Sequence, residues 1–482
     1  MEYRRWPDAR HKLPASCSTF SPMPDILFHY ERVNPTSWAY LSSLLMLALF
    51  FKFNRIWSVR NIDLFLLISI APGLLLVQWA WENMGIAENA QTIEYFGFVW
   101  LFSSGGMLLL RLLLDSAMVR RPLLEPNLNA AGLTFMGGAL LFFLMANVVT
   151  GKPSASDLSP ARTVEDVRAE QTEEADVGQP DSFATNGPGY WLLYLLPRIS
   201  TQKVVEAGPH DSDETFAEQV QQEQLVAQAT ARVMAILSHT MIVFGMVLVG
   251  YRHFDNLTAG LASATMYLMM PYTALWTGTV DHALPASLLV WAVVLYRRPM
   301  LAGMMVGLAS GTMYYPVFLL PLWISFYWER GLKRFVFGVL LMIAVLVASM
   351  AFTSTSTETF LANLVQMFGL RVPVSTDLEG IWKTWSYYYR FPIIAAFVAL
   401  SISFAIWPAR KNLATLISGS GALMLAAQFW HPHGGGIFVA WYLPLLLMMV
   451  FRPNLEDRNA LTRLDEGWWI VRQKAKRAAA AA

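Results

Sequence analysis

Charge is what this chain has least of. Asp, Glu, Lys and Arg make up 14% of its 482 residues, against about 25% in soluble domains, and that deficit excludes an ordinary water-soluble globule. The signs nearly cancel, leaving a net charge of +1, so the basic footprint that a nucleic-acid partner requires is missing. Cysteine is almost absent. Cys17 stands alone, which excludes an internal disulfide framework and any metal site built on thiolates. Residues 1–37 are polar and proline-rich without the apolar centre of a cleavable signal, so targeting is expected to fall to the first membrane span. No internal repeat is visible, which counts against a transporter built from inverted halves.

What remains is apolar. Hydrophobic residues reach 55% and the mean hydropathy is +0.41, the composition of a polytopic membrane protein. In lipid every backbone polar group must be satisfied internally, which here points to helices. The expected fold is therefore all-α, with about 11–13 transmembrane helices. Residues 1–37 read as an N-terminal arm and 38–150 as the first four spans: Trp38–Phe53, Ile62–Trp81 with a kink at Pro72-Gly73, Phe96–Leu114 and Ala130–Val149. Residues 151–230 read as a polar loop holding one short apolar stretch, Tyr190–Leu196, that lies at the interface or packs on the membrane core. A core membrane domain follows over 231–452, then a tail over 453–482. Its spans are Val233–Tyr251, which the helix-prone Phe216–Arg232 continues upstream, then Leu257–Leu275, Ala283–Tyr296, Phe335–Phe352, Phe391–Trp407, Leu413–Phe429 and Ile437–Phe451.

Leu301–Trp328 is a special case. Arg297-Arg298 precede it and Arg330, Lys333 and Arg334 follow it. If both clusters face one side, the chain between them must go in and come back. At about 1.5 Å per residue it is too short for two full crossings, so a re-entrant hairpin of short helices turning near Tyr314-Tyr315-Pro316 is expected. The positive-inside rule places Lys52–Arg60, Arg120-Arg121, Arg252-His253, Arg297-Arg298, Arg330–Arg334 and Arg410-Lys411 on the cytoplasmic side. The opposite side then receives Glu82–Glu94, the 151–230 loop, Asp281-His282, the 353–390 loop and His431-Pro432-His433.

Few ionisable residues fall near membrane depth, and those that do are functional candidates by default. Asp281-His282 come first. They follow Trp276-Thr277-Gly278-Thr279-Val280 and precede Pro285, a pattern read as the tip of a short external hairpin. A carboxylate there can act as base, and an imidazole beside it can donate a proton or bind phosphate; a wet loop tip is the alternative. His431-Pro432-His433-Gly434-Gly435-Gly436 offers two imidazoles able to share a metal and glycines that admit a ligand to the backbone, or else a plain glycine turn. Glu82, Glu88 and Glu94 can each supply a general base, with no spacing to choose among them, or are simply solvated. Arg371 and Lys383 lie among Trp382, Trp385, Tyr387, Tyr388 and Tyr389, suited to sugar stacking and phosphate neutralisation or to an interfacial aromatic belt. Arg111 and Asp115 read as a structural i,i+4 pair.

The segment Pro271-Tyr272…Trp276-x-Gly278-x-Val280-Asp281, Arg297-Arg298-Pro299, Gly303-x3-Gly307-Leu308-Ala309 and Tyr315-Pro316-x4-Pro321 resembles the central stretch of the GT-C glycosyltransferases, in their bacterial mannosyltransferase-like branch. That branch commonly carries Asn-Pro, Gly-Gln-x-Asp, and a lysine before the aromatic-Pro pair. Here those positions hold Met270-Pro271, Thr279 in place of Gln, and Met313 in place of Lys. The resemblance implies a GT-C-like fold in a bacterial inner membrane and transfer of a sugar from a polyprenyl-phosphate donor on the external face. It implies Asp281, His282 and one of Glu82, Glu88 or Glu94 as catalytic groups, with Trp276, Tyr314, Tyr315, Arg371, Lys383, His431 and His433 meeting substrate. Whether a divalent cation takes part is left open. The alternatives are a catalytically degenerate relative serving as a structural subunit of a membrane complex and, third, a transporter or lipid flippase.

Overall fold

A computed structural model describes residues 34–118, 124–151, 216–353, 356–367 and 378–464, with single positions at 153, 158, 193, 194 and 197. The described residues form an all-α polytopic membrane protein, in agreement with composition. Its helices are α1 (Pro35–Phe50), α2 (Val59–Ile68), α3 (Ile70–Glu82), α4 (Ala90–Leu113), α5 (Ala130–Thr150), α6 (Phe216–Arg252), α7 (Leu257–Met269), α8 (Val280–Val294), α9 (Pro299–Thr312), α10 (Leu320–Tyr327), α11 (Leu332–Thr353), α12 (Thr357–Met367), α13 (Arg390–Ile406), α14 (Leu413–Gln428) and α15 (Leu443–Phe451). Among the described residues six helical stretches are long and apolar enough to cross a membrane, and six shorter apolar ones accompany them.

Proline chemistry sets the breaks. The second span divides at Ser69, three residues before Pro72, because proline has no N–H for the preceding turn; the indole N–H of Trp100 donates to the Ser69 carbonyl at 2.6 Å. Pro271 stops α7 at Met269 and opens a separate turn, Pro271–Leu275, so the expected span Leu257–Leu275 is two pieces. Between the arginine clusters the chain does double back: α9 ends at Thr312, a 3-10 turn runs Tyr315–Leu319, and α10 returns. α9 packs on α11 and α8, and α6 on α7 and α8. The α9–α11 approach is close enough that a Cβ on Gly303 would run into the Phe335 carbonyl.

The connections sort into two ends, as the alternation of basic and acidic loops anticipates. At the basic end Arg60 donates to the Glu125 carbonyl at 2.6 Å, Arg297 to the Arg252 carbonyl at 3.3 Å and Arg330 to the Leu461 carbonyl at 2.7 Å. Residues 453–464, the first part of the expected tail, dock there: Arg458 pairs with Asp255, and Asn412 bridges Asn459. The helix α6 starts inside the stretch read as a polar loop, because Phe216–Arg232 continues the span as its helix-prone composition suggests. Most of Tyr190–Leu196 falls outside the described residues, but Tyr194 is buried with Val148, Ala231 and Val280.

Helix length then makes a recess. α7, α8, α9, α14 and α15 have 13, 15, 14, 16 and 9 residues, short of the roughly 20 that span the hydrocarbon. Each is anchored beside the basic end, so the shortfall is at the other end. There the connecting segments 270–279, 313–319 and 429–442 descend between the long helices, where irregular backbone is tolerated only when packed in protein.

Candidate functional site

Three buried imidazoles in the recessed half share one construction. Tyr267 Oη lies 2.9 Å from His239 Nδ1, Tyr272 Oη 2.5 Å from His282 Nδ1, and Tyr315 Oη 2.5 Å from His431 Nδ1. His239 fixes the polarity. Its Nε2 is 3.1 Å from the Thr277 carbonyl, an acceptor only, so Nε2 carries the proton and Nδ1 receives the tyrosine hydroxyl. The same reading of the other two leaves an Nε2–H on each. In His282 that group faces Asp281 Oδ1 at 4.0 Å. In His431 it has no hydrogen-bond partner among the described residues. Tyr314 extends the Tyr315–His431 pair, donating to the Tyr315 hydroxyl at 2.9 Å.

Side-chain contacts around these groups, together with the Trp430 carbonyl and the peptide link between Trp382 and Lys383, close into a circuit. Trp276 stacks on His282 with centroids 4.9 Å apart, and His282 meets Phe438 at 4.5 Å. Phe438 meets His431 at 4.9 Å, and Tyr315, bonded to His431, meets Trp430 at 5.2 Å. The Trp430 carbonyl accepts from Arg390 at 3.0 Å, and the Arg390 guanidinium stands 5.9 Å from the Trp382 ring. Beside Trp382, Lys383 Nζ is 3.8 Å from Glu94, whose carboxylate accepts from the Trp81 indole at 3.0 Å. Trp81 returns to Trp276 at 5.8 Å. The circuit draws on α3, α4, α8, α13 and four connecting segments.

Local sequence explains how two of these segments hold their shape. Asp281 and His282 are not at a hairpin tip, as expected, but in the first turn of α8, where a carboxylate faces the positive end of the helix dipole. Pro285 lies inside that helix and leaves the Asp281 carbonyl without its i+4 donor. The indole N–H of Trp441 takes that place, donating to Asp281 O at 3.1 Å. The carbonyl that the proline frees is thus satisfied by a residue 160 positions further along the chain. In the second segment Gly434 and Gly436 have φ of 62° and 105°, conformations that L side chains avoid. A Cβ on Gly435 would meet the Gln428 carbonyl, while Gln428 accepts from the Gly436 N–H at 3.0 Å. The glycines thus fold this connection back on α14.

Nine of the twelve residues singled out by sequence come together here: Glu94, Trp276, Asp281, His282, Tyr314, Tyr315, Lys383, His431 and His433, the last with its ring 6.1 Å from that of His431. Glu82 and Glu88 are exposed, and Glu82 accepts from Gln78 at 2.7 Å; neither joins the circuit. Arg371 lies outside the described residues. Among the described residues no group of three His, Cys, Asp or Glu is arranged to hold a metal, and His431 Nδ1 is already engaged by Tyr315. Sequence reading missed Trp81, Tyr272, Arg390, Phe438 and Trp441. Only Trp441 had a usable signal, the carbonyl that Pro285 leaves free.

Comparison of the chain with family models, with curated proteins and with solved structures returns no match.

Proposed function

We propose that this chain is a membrane glycosyltransferase that moves a sugar from a polyprenyl-phosphate donor to an acceptor hydroxyl at the recessed end, which the positive-inside rule assigns to the external face. The observation that supports this reading is the closed circuit, which brings a carboxylate, stacked aromatic rings and two cations together at the end where the short helices stop. In the reaction the acceptor oxygen bonds to the anomeric carbon while the bond from that carbon to the phosphate oxygen breaks. The electron pair leaves on the polyprenyl phosphate, and the acceptor proton passes to Glu94. Lys383, 3.8 Å from Glu94, meets the phosphate charge. Asp281 and the His282 Nε2–H orient the sugar hydroxyls, and Trp276 supplies a face for the ring. Displacement from the opposite side inverts the anomeric centre.

The test is transfer from a radiolabelled polyprenyl-phosphate hexose in vesicles carrying the purified protein. Glu94→Gln lowers the rate by about 100-fold or more, Asp281→Asn lowers it as well, and Glu82→Gln and Glu88→Gln leave it unchanged. A folded Glu94→Gln protein as active as wild type overturns the assignment. A second reading, a degenerate relative acting as a structural subunit, is favoured by Thr279 and Met313. The Thr279 hydroxyl turns to the Trp276 carbonyl at 2.6 Å and Met313 is buried, so the motif's amide and cation are replaced by a locally bonded hydroxyl and a thioether. On that reading no polyprenyl-phosphate hexose is consumed, Asp281→Ala changes nothing, and substitutions of exposed Trp and Phe abolish co-purification with partners.

A further inference from the structure

The outward face of α6 and α8 carries a groove of about 420 Å³ that runs from Thr240 and Met241 towards the basic end at Tyr251 and Leu257. Its walls include Phe244, Val247, Leu248, Tyr251, Leu257 and Trp291. The polar atom of Trp291 is already committed, donating to the Met241 carbonyl at 3.1 Å, so the indole presents carbon to the groove. Phe244 and Tyr251 are 61% and 64% exposed, on a helix whose apolar window is long enough to cross a membrane. Such a face meets acyl chains.

The groove ends at cations. Tyr251 is followed by Arg252, and Arg297 donates through Nη2 to the Arg252 carbonyl at 3.3 Å, bringing a second guanidinium to the same corner. Among the described residues neither arginine forms an ion pair. Asp255, three residues beyond Arg252, is engaged by Arg458. Both guanidiniums lie close enough to the adjacent His253 to add to the desolvation that holds its pKa down to about 4.

We propose that this corner binds one anionic diacyl phospholipid, with an acyl chain in the groove between α6 and α8 and the phosphate between Arg252 and Arg297. Guanidinium forks match phosphate oxygens, and basic pockets at the membrane boundary select anionic headgroups. The apolar wall alone would accept any lipid; the two arginines supply the headgroup preference. The site lies at the opposite end from the proposed transfer chemistry and does not depend on it.

The experiment places the full chain in nanodiscs of equal phosphatidylglycerol and phosphatidylcholine with identical acyl chains, and reads the lipids retained on the protein by native mass spectrometry. Wild type retains phosphatidylglycerol over phosphatidylcholine by at least about tenfold. The R252Q/R297Q double variant brings the two lipids near parity, and R252K/R297K, which keeps the charge, restores most of the preference. V247W, which fills the groove without touching the arginines, lowers phosphatidylglycerol retention several-fold. Equal retention of both lipids by wild type, or an unchanged preference in R252Q/R297Q or V247W, overturns the proposal.

Discussion

At the basic end Asp63, Arg111, Asp115 and Arg452 are all buried and joined in a line. Arg111 grips Asp63 through Nε at 2.5 Å and Nη2 at 2.9 Å and lies 3.5 Å from Asp115, which Arg452 holds at 2.7 Å. The two positive and two negative charges cancel, and the line ties α2 and α4 to the end of α15. At the recessed end the ionisable groups are arranged otherwise. Imidazoles are matched to tyrosine hydroxyls, Asp281 stands 4.0 Å from His282, and Lys383 stands 3.8 Å from Glu94. Arg390 is held by a backbone carbonyl. Close bidentate pairing fixes a fold and leaves little free for a ligand. At the recessed end one buried donor, the His431 Nε2–H, has no partner among the described residues, which leaves it for a ligand to complete.

The difference can be broken at its strongest point first. Replacing Arg111 by Met removes the guanidinium that grips buried Asp63 and flanks Asp115, which costs about 3–5 kcal/mol. A fall in the thermal midpoint of the detergent-solubilised protein checks this; a midpoint equal to wild type would mean that the line of charges holds nothing. Glu94→Gln at the other end is expected to change transfer and leave the midpoint alone, so the two variants separate structure from use.

Acid probes the basic end next. His253 is buried, its Nε2 donating to the Val294 carbonyl at 2.8 Å, and its pKa is lowered to about 4. As pH falls below about 6.5, the unfolded chain takes up this proton before the folded one does. Stability is therefore full above that value and is lost between pH 6.5 and 4, by on the order of 3 kcal/mol, levelling off below. Melting curves of wild type and His253→Gln across this range check the sign: the variant lacks this part of the loss.

The smallest effect sharpens the comparison from the recessed side. Tyr315→Phe removes the donor to His431 Nδ1 and the acceptor for Tyr314. It is expected to cost only about 1–3 kcal/mol in stability while lowering transfer disproportionately. Equal losses in both would make Tyr315 a packing residue and move His431 out of the site.

Much of the architecture is legible along the chain because it depends on neighbours in sequence. Arginine clusters at 297–298 and 330–334 force the hairpin between them, and Tyr314–Pro316 is where it turns. The i,i+4 pair of Arg111 and Asp115 is local for the same reason, although its extension to Asp63 and Arg452 is not. The site is less legible. Glu82, Glu88 and Glu94 are equivalent as letters; Glu94 separates from them because α3 and α4 pack together and bring it under Trp81 and beside Lys383. Arg390 reads as an ordinary charge flanking a span, yet it is only 2% exposed.

Composition and local rules by themselves determined that the chain is helical, multi-pass and two-ended, since lipid demands satisfied backbone and cations gather at one boundary. Which polar groups meet in the recess was decided by tertiary structure alone. Trp441 reaches Asp281, and Tyr315 reaches His431, only once short helices of unequal length have been packed side by side. Contacts between residues more than a hundred positions apart have no counterpart in spacing or periodicity, so they emerge only when the helices are assembled.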